Sequence, residues 1–152
     1  MEDNIGTVIA QVARLMRRSF DERARSIGVT RPQWQVLSLL ARHEGINQGG
    51  LAEILEVEPI TLGRMIDRLQ EAALVERRPD PTDRRAWRLF MTEAGKDLID
   101  QMRPLARETL ATVLDGVDPA QHDLLMIALG RMRSNLSRKA PAAASNADVA
   151  NG

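Results

Sequence analysis

The sequence predicts a mainly α fold of the α+β class, and three observations point to it. Apolar residues recur at three- and four-residue steps through most of the chain, the repeat of amphipathic helices. One stretch, residues 74–91, changes to short apolar-polar alternation around a Pro-containing connection, the pattern of a hairpin. Just before it stand two helical segments separated by a few residues.

The first helix is drawn by Ile5, Val8, Ile9, Val12, Leu15, Met16 and Phe20, one apolar stripe over five turns or more, with Gly28 as its stop. "VTRPQW" restarts the chain: Thr30 and Gln33 fit a capping box, Val29 and Trp34 a hydrophobic staple, and Trp34, Leu37, Leu40 and Ala41 are expected to face inward. "QGG" at 48–50 opens a short helix with Leu51, Ile54 and Leu55 inside. After a tight break at Val57 and Glu58, Pro59 opens the next at an N1-like position. Its buried stripe is Leu62, Met65, Ile66, Leu69 and Ala73, leaving Ile60, Thr61, Arg64, Arg68 and Glu71 outside.

"LVERR" and "WRLFM" read as strands, the second anchored by Trp87, Leu89 and Met91, with "PDPTDRRA" between them. Thr92 caps a helix with Leu98, Met102, Leu105, Leu110 and Val113 on its apolar side and a kink or local break at Pro104. Asp118 and Pro119 start a last helix, with Leu125, Leu129, Met132 and Leu136 inside. Helix, turn, helix and hairpin make a winged helix-turn-helix over residues 30–95. An N-terminal helix (1–29) and C-terminal helices (96–139) flank it, and a tail from 140 to 152 is expected to be disordered. The flanking stripes exceed what a winged domain of ~60 residues can cover, so they are expected to form a homodimer.

Composition narrows the chemistry. Formal net charge is zero, so any electrostatic site is local. Residues 44–58 are purely acidic, whereas 77–88 hold Arg77, Arg78, Arg84, Arg85 and Arg88 against Asp80 and Asp83. No cysteine is present, which excludes thiolate catalysis and Cys-based metal sites. His43 and His122 lack metal-ligand spacing, Ser19, Ser26 and Ser38 lack a nucleophile-elbow context, and no Gly-rich loop suits a nucleotide. The expectation is a non-enzyme that requires no cofactor or metal. With no secretory signal pattern and no membrane-spanning apolar run, it is expected to be cytoplasmic.

The outer face of the helix opened by Pro59 has short polar groups near its start and arginines able to fork onto guanine or phosphate. An ordinary solvated helix would look equally polar; position after a helix-turn favours double-stranded DNA. Ile60, Thr61, Arg64 and Arg68 are the candidate readers, though Arg68 beside Asp67 could be held in an ion pair. At the hairpin tip a mobile charged loop is the plain alternative. Five arginines concentrated there suit a narrow minor groove, with Arg84 the first choice, Arg85 beside it and Asp83 expected to orient an arginine. A small-molecule site where the flanking helices meet the winged helix would use Arg14 or Arg17 as carboxylate partner, with Phe20, Trp34 and Met65 beside it, residues that serve equally as core.

"GVTRPQWQVLSLL" and "LAEILEVEPITLGRMIDRLQEAALVERRPDPTDRRAWRLFMTEAG" resemble the MarR family of bacterial transcriptional regulators, nearer its SlyA-like branch, over about residues 12–100. The resemblance implies a homodimeric winged-helix regulator on pseudo-palindromic operators, usually a repressor, often released by a small phenolic or aromatic carboxylate. Carried over by motif, Thr61 and Arg64 fall on the recognition helix, Asp83 and Arg84 on the wing, and Arg17 and Trp34 near an effector pocket. Ala73 departs from the family, which commonly has Gly there; Ala resists the left-handed turn that Gly permits. Met91 departs from the usual Leu. The competing reading is a protein-interaction or oligomerisation module with a degenerate winged helix.

Overall fold

The computed structural model describes residues 2–137; the tail expected to be disordered, 140–152, lies outside them. Six helices and one hairpin follow in order: α1 (Ile5–Ser26), α2 (Arg31–Arg42), α3 (Gln48–Leu55), α4 (Pro59–Glu71), β1 (Val75–Pro79), β2 (Trp87–Met91), α5 (Glu93–Val113) and α6 (Pro119–Ser137). The fold is mainly helical with a two-stranded antiparallel sheet.

Five of the six helices start where a side chain accepts from a free N–H group, α4 being the exception. Asn4 accepts from Thr7, Asn47 from Gly50, and Thr30 and Gln33 close the expected capping box. The Thr92 hydroxyl accepts from Gly95 N–H, and Asp118 and Gln121 exchange bonds at the start of α6.

Three helices end alike. At α1 the Val29 N–H reaches back to Ala24 O and the Gly28 N–H to Arg25 O, with Gly28 at φ +77°. The same pair of bonds closes α3 through Glu56 and Val57, and α4 through Ala73 and Leu74. Glu56 and Ala73, at φ 55° and 57°, thus hold the left-handed conformation without being glycine. In each case the turn returns an apolar residue (Val29, Val57, Leu74) to the core or its rim.

The core joins Ala24 and Val29 to Val36, Leu37, Leu40, Leu51, Ala52, Leu62, Ile66, Leu69, Val75, Leu89, Met91 and Met102. Each fully buried Leu or Ile contributes about 1.5–3 kcal/mol relative to exposure. β1 and β2 pair from Val75↔Met91 to Pro79↔Trp87. The free edge of β2 takes bonds from residues 45–47, with Gly45 N–H donating to Leu89 O and Leu89 N–H to Ile46 O.

Several expectations are corrected. Ala41 is exposed and Val36 takes the inward place on α2. Ile54 is 43% exposed; Ala52 is buried instead, beneath the turn that brings Val57 back. Ala73 is exposed because the left-handed turn swings it off the buried face of α4. Trp87, expected to anchor its strand, is 47% exposed at the loop end of the hairpin opposite Pro79. β1 begins at Val75 rather than Leu74. Leu110 is exposed, and of the kink or local break expected at Pro104 the break does not occur, since α5 runs on through it: the proline costs the helix one N–H and the flanking turns carry it on.

Residues 1–113 form one compact unit, in which α1 packs on α5 and α2. A second begins at Leu114 and contains α6. On α6, Leu125, Leu129 and Leu136, expected inside, are exposed, and no residue of this helix is buried. The α1 stripe is likewise open at Ile5, Val8, Ile9, Val12 and Leu15.

Candidate nucleic-acid interface

Helix α4 buries Leu62, Ile66 and Leu69 and half-buries Met65, so one side is fixed against the core. Ile60, Thr61, Arg64, Arg68 and Glu71 consequently lie on the exposed face; Ile60 is 70% exposed. Neither Arg64 nor Arg68 has an ion-pair partner among the described residues. Asp67, the neighbour suspected of holding Arg68, pairs with Arg77 at 2.6 Å. No side chain caps the start of α4 at Glu58, so the first-turn N–H groups stay open.

The hairpin divides its arginines by strand register. Arg77 shares a face with Val75, whose side chain enters the core, and so points back at α4. Its Nε donates to Gln48 Oε1 (3.1 Å), Nη1 to Asp67 Oδ1 and Gln70 Oε1 (2.6 and 2.9 Å), and Nη2 to Gly63 O (3.1 Å). On the other face Arg78 and Arg88 stand directly opposite each other, a like-charge pair that would repel if unscreened. Glu76 accepts from Arg78, whose guanidinium also lies 4.0 Å over the Phe90 ring, and Asp80 pairs with Arg88 at 3.4 Å.

Between the strands Asp80 organises the turn, accepting from Thr82 N–H (2.9 Å), the Thr82 hydroxyl (2.8 Å) and Asp83 N–H (3.2 Å). Those Thr82 donors first, then Asp83 N–H and Arg88, hold its carboxyl below the usual aspartate value. Asp83 accepts from the Arg85 backbone N–H at 2.9 Å, orienting the main chain of the tip rather than a guanidinium. Arg84 and Arg85 are exposed, and among the described residues neither side chain has an ion-pair partner.

The residues expected to form an effector site are brought together in part. Phe20 and Trp34 meet edge to face at 4.9 Å, and with Met65 they sit half-buried on the rim of the core. Trp34 Nε1 donates to Asp21 Oδ1 at 2.7 Å, and Arg31 Nε binds the other oxygen at 2.6 Å. Burial pushes the Asp21 carboxyl up, but the Arg31 and Trp34 donors outweigh it and hold it low. Arg14 and Arg17 are exposed on α1. Open clefts of about 450, 550 and 460 Å³ lie beside Arg77 and Trp87, beside Arg78 and Phe90, and along α6; the five effector candidates line none of these three.

Sequence reasoning missed Asp21 and the group around Arg77. The signal for Arg77 was present, since it stands two residues from Val75 on a strand whose Val75 face turns inward. Among the described residues no group of His, Asp and Glu could hold a metal ion, and no helix is long and apolar enough to cross a membrane.

An exposed helix over a helix-turn-helix, followed by a hairpin with arginines at its tip, defines a winged-helix protein. A model of the MarR family matches residues 27–86. A MarR transcriptional regulator from Methanosarcina mazei Go1 is similar at 30% identity, with 86% of this chain and 94% of that one covered and a TM-score of 0.78. The transcriptional regulator SlyA matches at 26% identity, covering 88% and 94%, with a TM-score of 0.75. A mutant MarR from E. coli complexed with operator DNA matches at 25%, covering 84% and 92%, with a TM-score of 0.73. The chain belongs to the MarR family and has the fold of its transcriptional regulators.

Proposed function

We propose that this chain is a homodimeric, sequence-specific DNA-binding repressor, released from a pseudo-palindromic operator by a small aromatic or phenolic acid. The observation that carries the DNA reading is the pairing state of its arginines. Arg64 and Arg68 on α4 and Arg84 and Arg85 on the wing tip have no ion-pair partner among the described residues, whereas Arg77, Arg78 and Arg88 are paired. Thr61 and Arg64 at the start of α4 read base edges in the major groove, Ile60 packs beside them, and Arg68 holds backbone phosphate. Arg84, with Arg85, enters the flanking minor groove, while Asp83 fixes the tip from which they project.

The open stripes of α1 and α6 support the homodimer, in which residues 1–29 and 96–139 act as dimerisation helices around the DNA-binding segment 30–95. Two α4 helices then meet successive major-groove faces about one turn, ~34 Å, apart. The match to SlyA supports a place near that branch. For the effector, Phe20, Trp34 and Met65 supply apolar surface and Arg14 or Arg17 the carboxylate partner. The cytoplasm, where its DNA lies, is the corresponding location.

Mobility shift with DNA from the promoter beside its own gene, against a scrambled duplex, tests the reading. A salt-sensitive shift selective for the promoter is expected, and Arg64→Ala is expected to weaken it by about 1–3 kcal/mol and relax selectivity. Equal binding of both duplexes, or none, would favour the interaction-module reading.

A further inference from the structure

We infer that Arg77 is a positioning residue for base reading: it touches no DNA and sets the angle of the recognition helix relative to the wing. This deepens the DNA-binding reading above and rests on it. Gly63, Asp67 and Gln70 follow one another at steps of four and three residues, along the flank of α4 next to the exposed face of Ile60, Arg64 and Glu71. One guanidinium on β1 binds all three, and its Nε takes Gln48 at the first turn of α3. Arg77 therefore ties both helices of the helix-turn-helix to the root of the wing.

Its surroundings fit that task. The Arg77 side chain is 17% exposed, set in a cleft of about 450 Å³ lined by Gln48, Asp67, Gln70 and Trp87. With its donors spent inside the protein it has little left to offer a phosphate. A guanidinium holds its donors in one rigid plane and can span acceptors on two helices; an ammonium keeps the charge but has a single nitrogen. Base readout tolerates about 0.5 Å and 10–20° of misplacement, so a loosened α4 loses selectivity before it loses phosphate attraction.

The test compares parent, Arg77→Lys, Arg77→Gln and Arg84→Ala on the promoter duplex and a scrambled duplex over a series of salt concentrations, with melting temperatures alongside. Both Arg77 variants are expected to bind the promoter about tenfold or more weakly, while scrambled-duplex affinity and the salt slope stay parental. If Arg77 instead contacted phosphate, Arg77→Gln would weaken both duplexes and flatten the slope while Arg77→Lys restored them, which overturns the inference. So does Arg77→Lys with parental selectivity, or a promoter loss that only tracks the unfolded fraction. Where the Arg77 variants do not fold, Asp67→Ala and Gln70→Ala each remove one acceptor and are held to the same split between duplexes. A parent with no selectivity sinks the functional reading and this inference together; a selective parent matched by Arg77→Lys sinks this inference alone.

Discussion

The root and the tip of the wing use the same residue type to different ends. At the root Arg77 is bound to α3 and α4, Arg78 is held between Glu76 and the Phe90 ring, and Arg88 faces Asp80. At the tip Arg84 and Arg85 extend from a turn fixed through its backbone by Asp80 and Asp83, and among the described residues their guanidinium groups have no ion-pair partner. The contrast teaches that a cluster of arginines is not one patch. Strand register divides it into groups that hold the structure and groups that remain available, and only the second can add to binding.

Changes to the backbone around the root should act on stability. The largest effect is expected from Gly95→Ala, because a Cβ there would stand 2.2 Å from the carbonyl oxygen of Leu74, which leads into β1. Backbone cannot yield as a flexible side chain does, so a loss toward the upper end of about 1–3 kcal/mol is expected in urea denaturation. An unchanged midpoint would show that the junction of α5 with the wing root is looser than described.

Ala73→Gly should move the other way. Ala73 holds φ 57°, a conformation costing a non-glycine residue about 1–2 kcal/mol, of which glycine recovers part after its larger unfolded-state entropy. A gain of about 0.5–1 kcal/mol, or a melting temperature higher by about 2 °C, is expected for this size of domain. A drop would mean that Ala73 is not strained.

The turn joining root and tip should respond to acid. Asp80 has its carboxyl held low in the folded state by Thr82, Asp83 and Arg88. Its stabilisation is therefore present above the ordinary aspartate range, near pH 4, and is lost as pH falls through the depressed folded value. Amide signals of Thr82 and Asp83 should shift together on acidification, and Asp80→Asn should show the loosened turn at neutral pH. Amides in the variant indistinguishable from the parent would remove Asp80 from the turn.

Much of the fold was legible because local rules and core packing agree. The capping box at Thr30 and Gln33, the Asp118 start of α6, the exposed face of α4 and the hairpin all follow from short-range pattern. Misplacements occurred where tertiary geometry decides. Alternation with Leu89 and Met91 makes Trp87 a strand anchor, yet its place beside the loop leaves it exposed; helical periodicity points Ala73 inward, but the left-handed turn has already ended the helix there. Of the candidate interface, the residue types and the segment were readable, whereas the pairing of each arginine was not. The partners of Arg77 lie 7 to 29 residues away in sequence, at Gln70, Asp67, Gly63 and Gln48, and only packing of three elements brings them together.

The contrast between root and tip is tested most directly by the salt dependence of promoter-duplex affinity in Arg84→Ala and Arg78→Ala beside the parent. Removing a phosphate-neutralising arginine lowers the slope of log affinity against log salt by about one per site, hence about two for a dimer with two wings. Arg84→Ala is predicted to show that drop with a parental melting temperature, and Arg78→Ala to keep the parental slope. A parental slope in Arg84→Ala, or an equal drop in both variants, would contradict the division of the wing into a structural root and a binding tip.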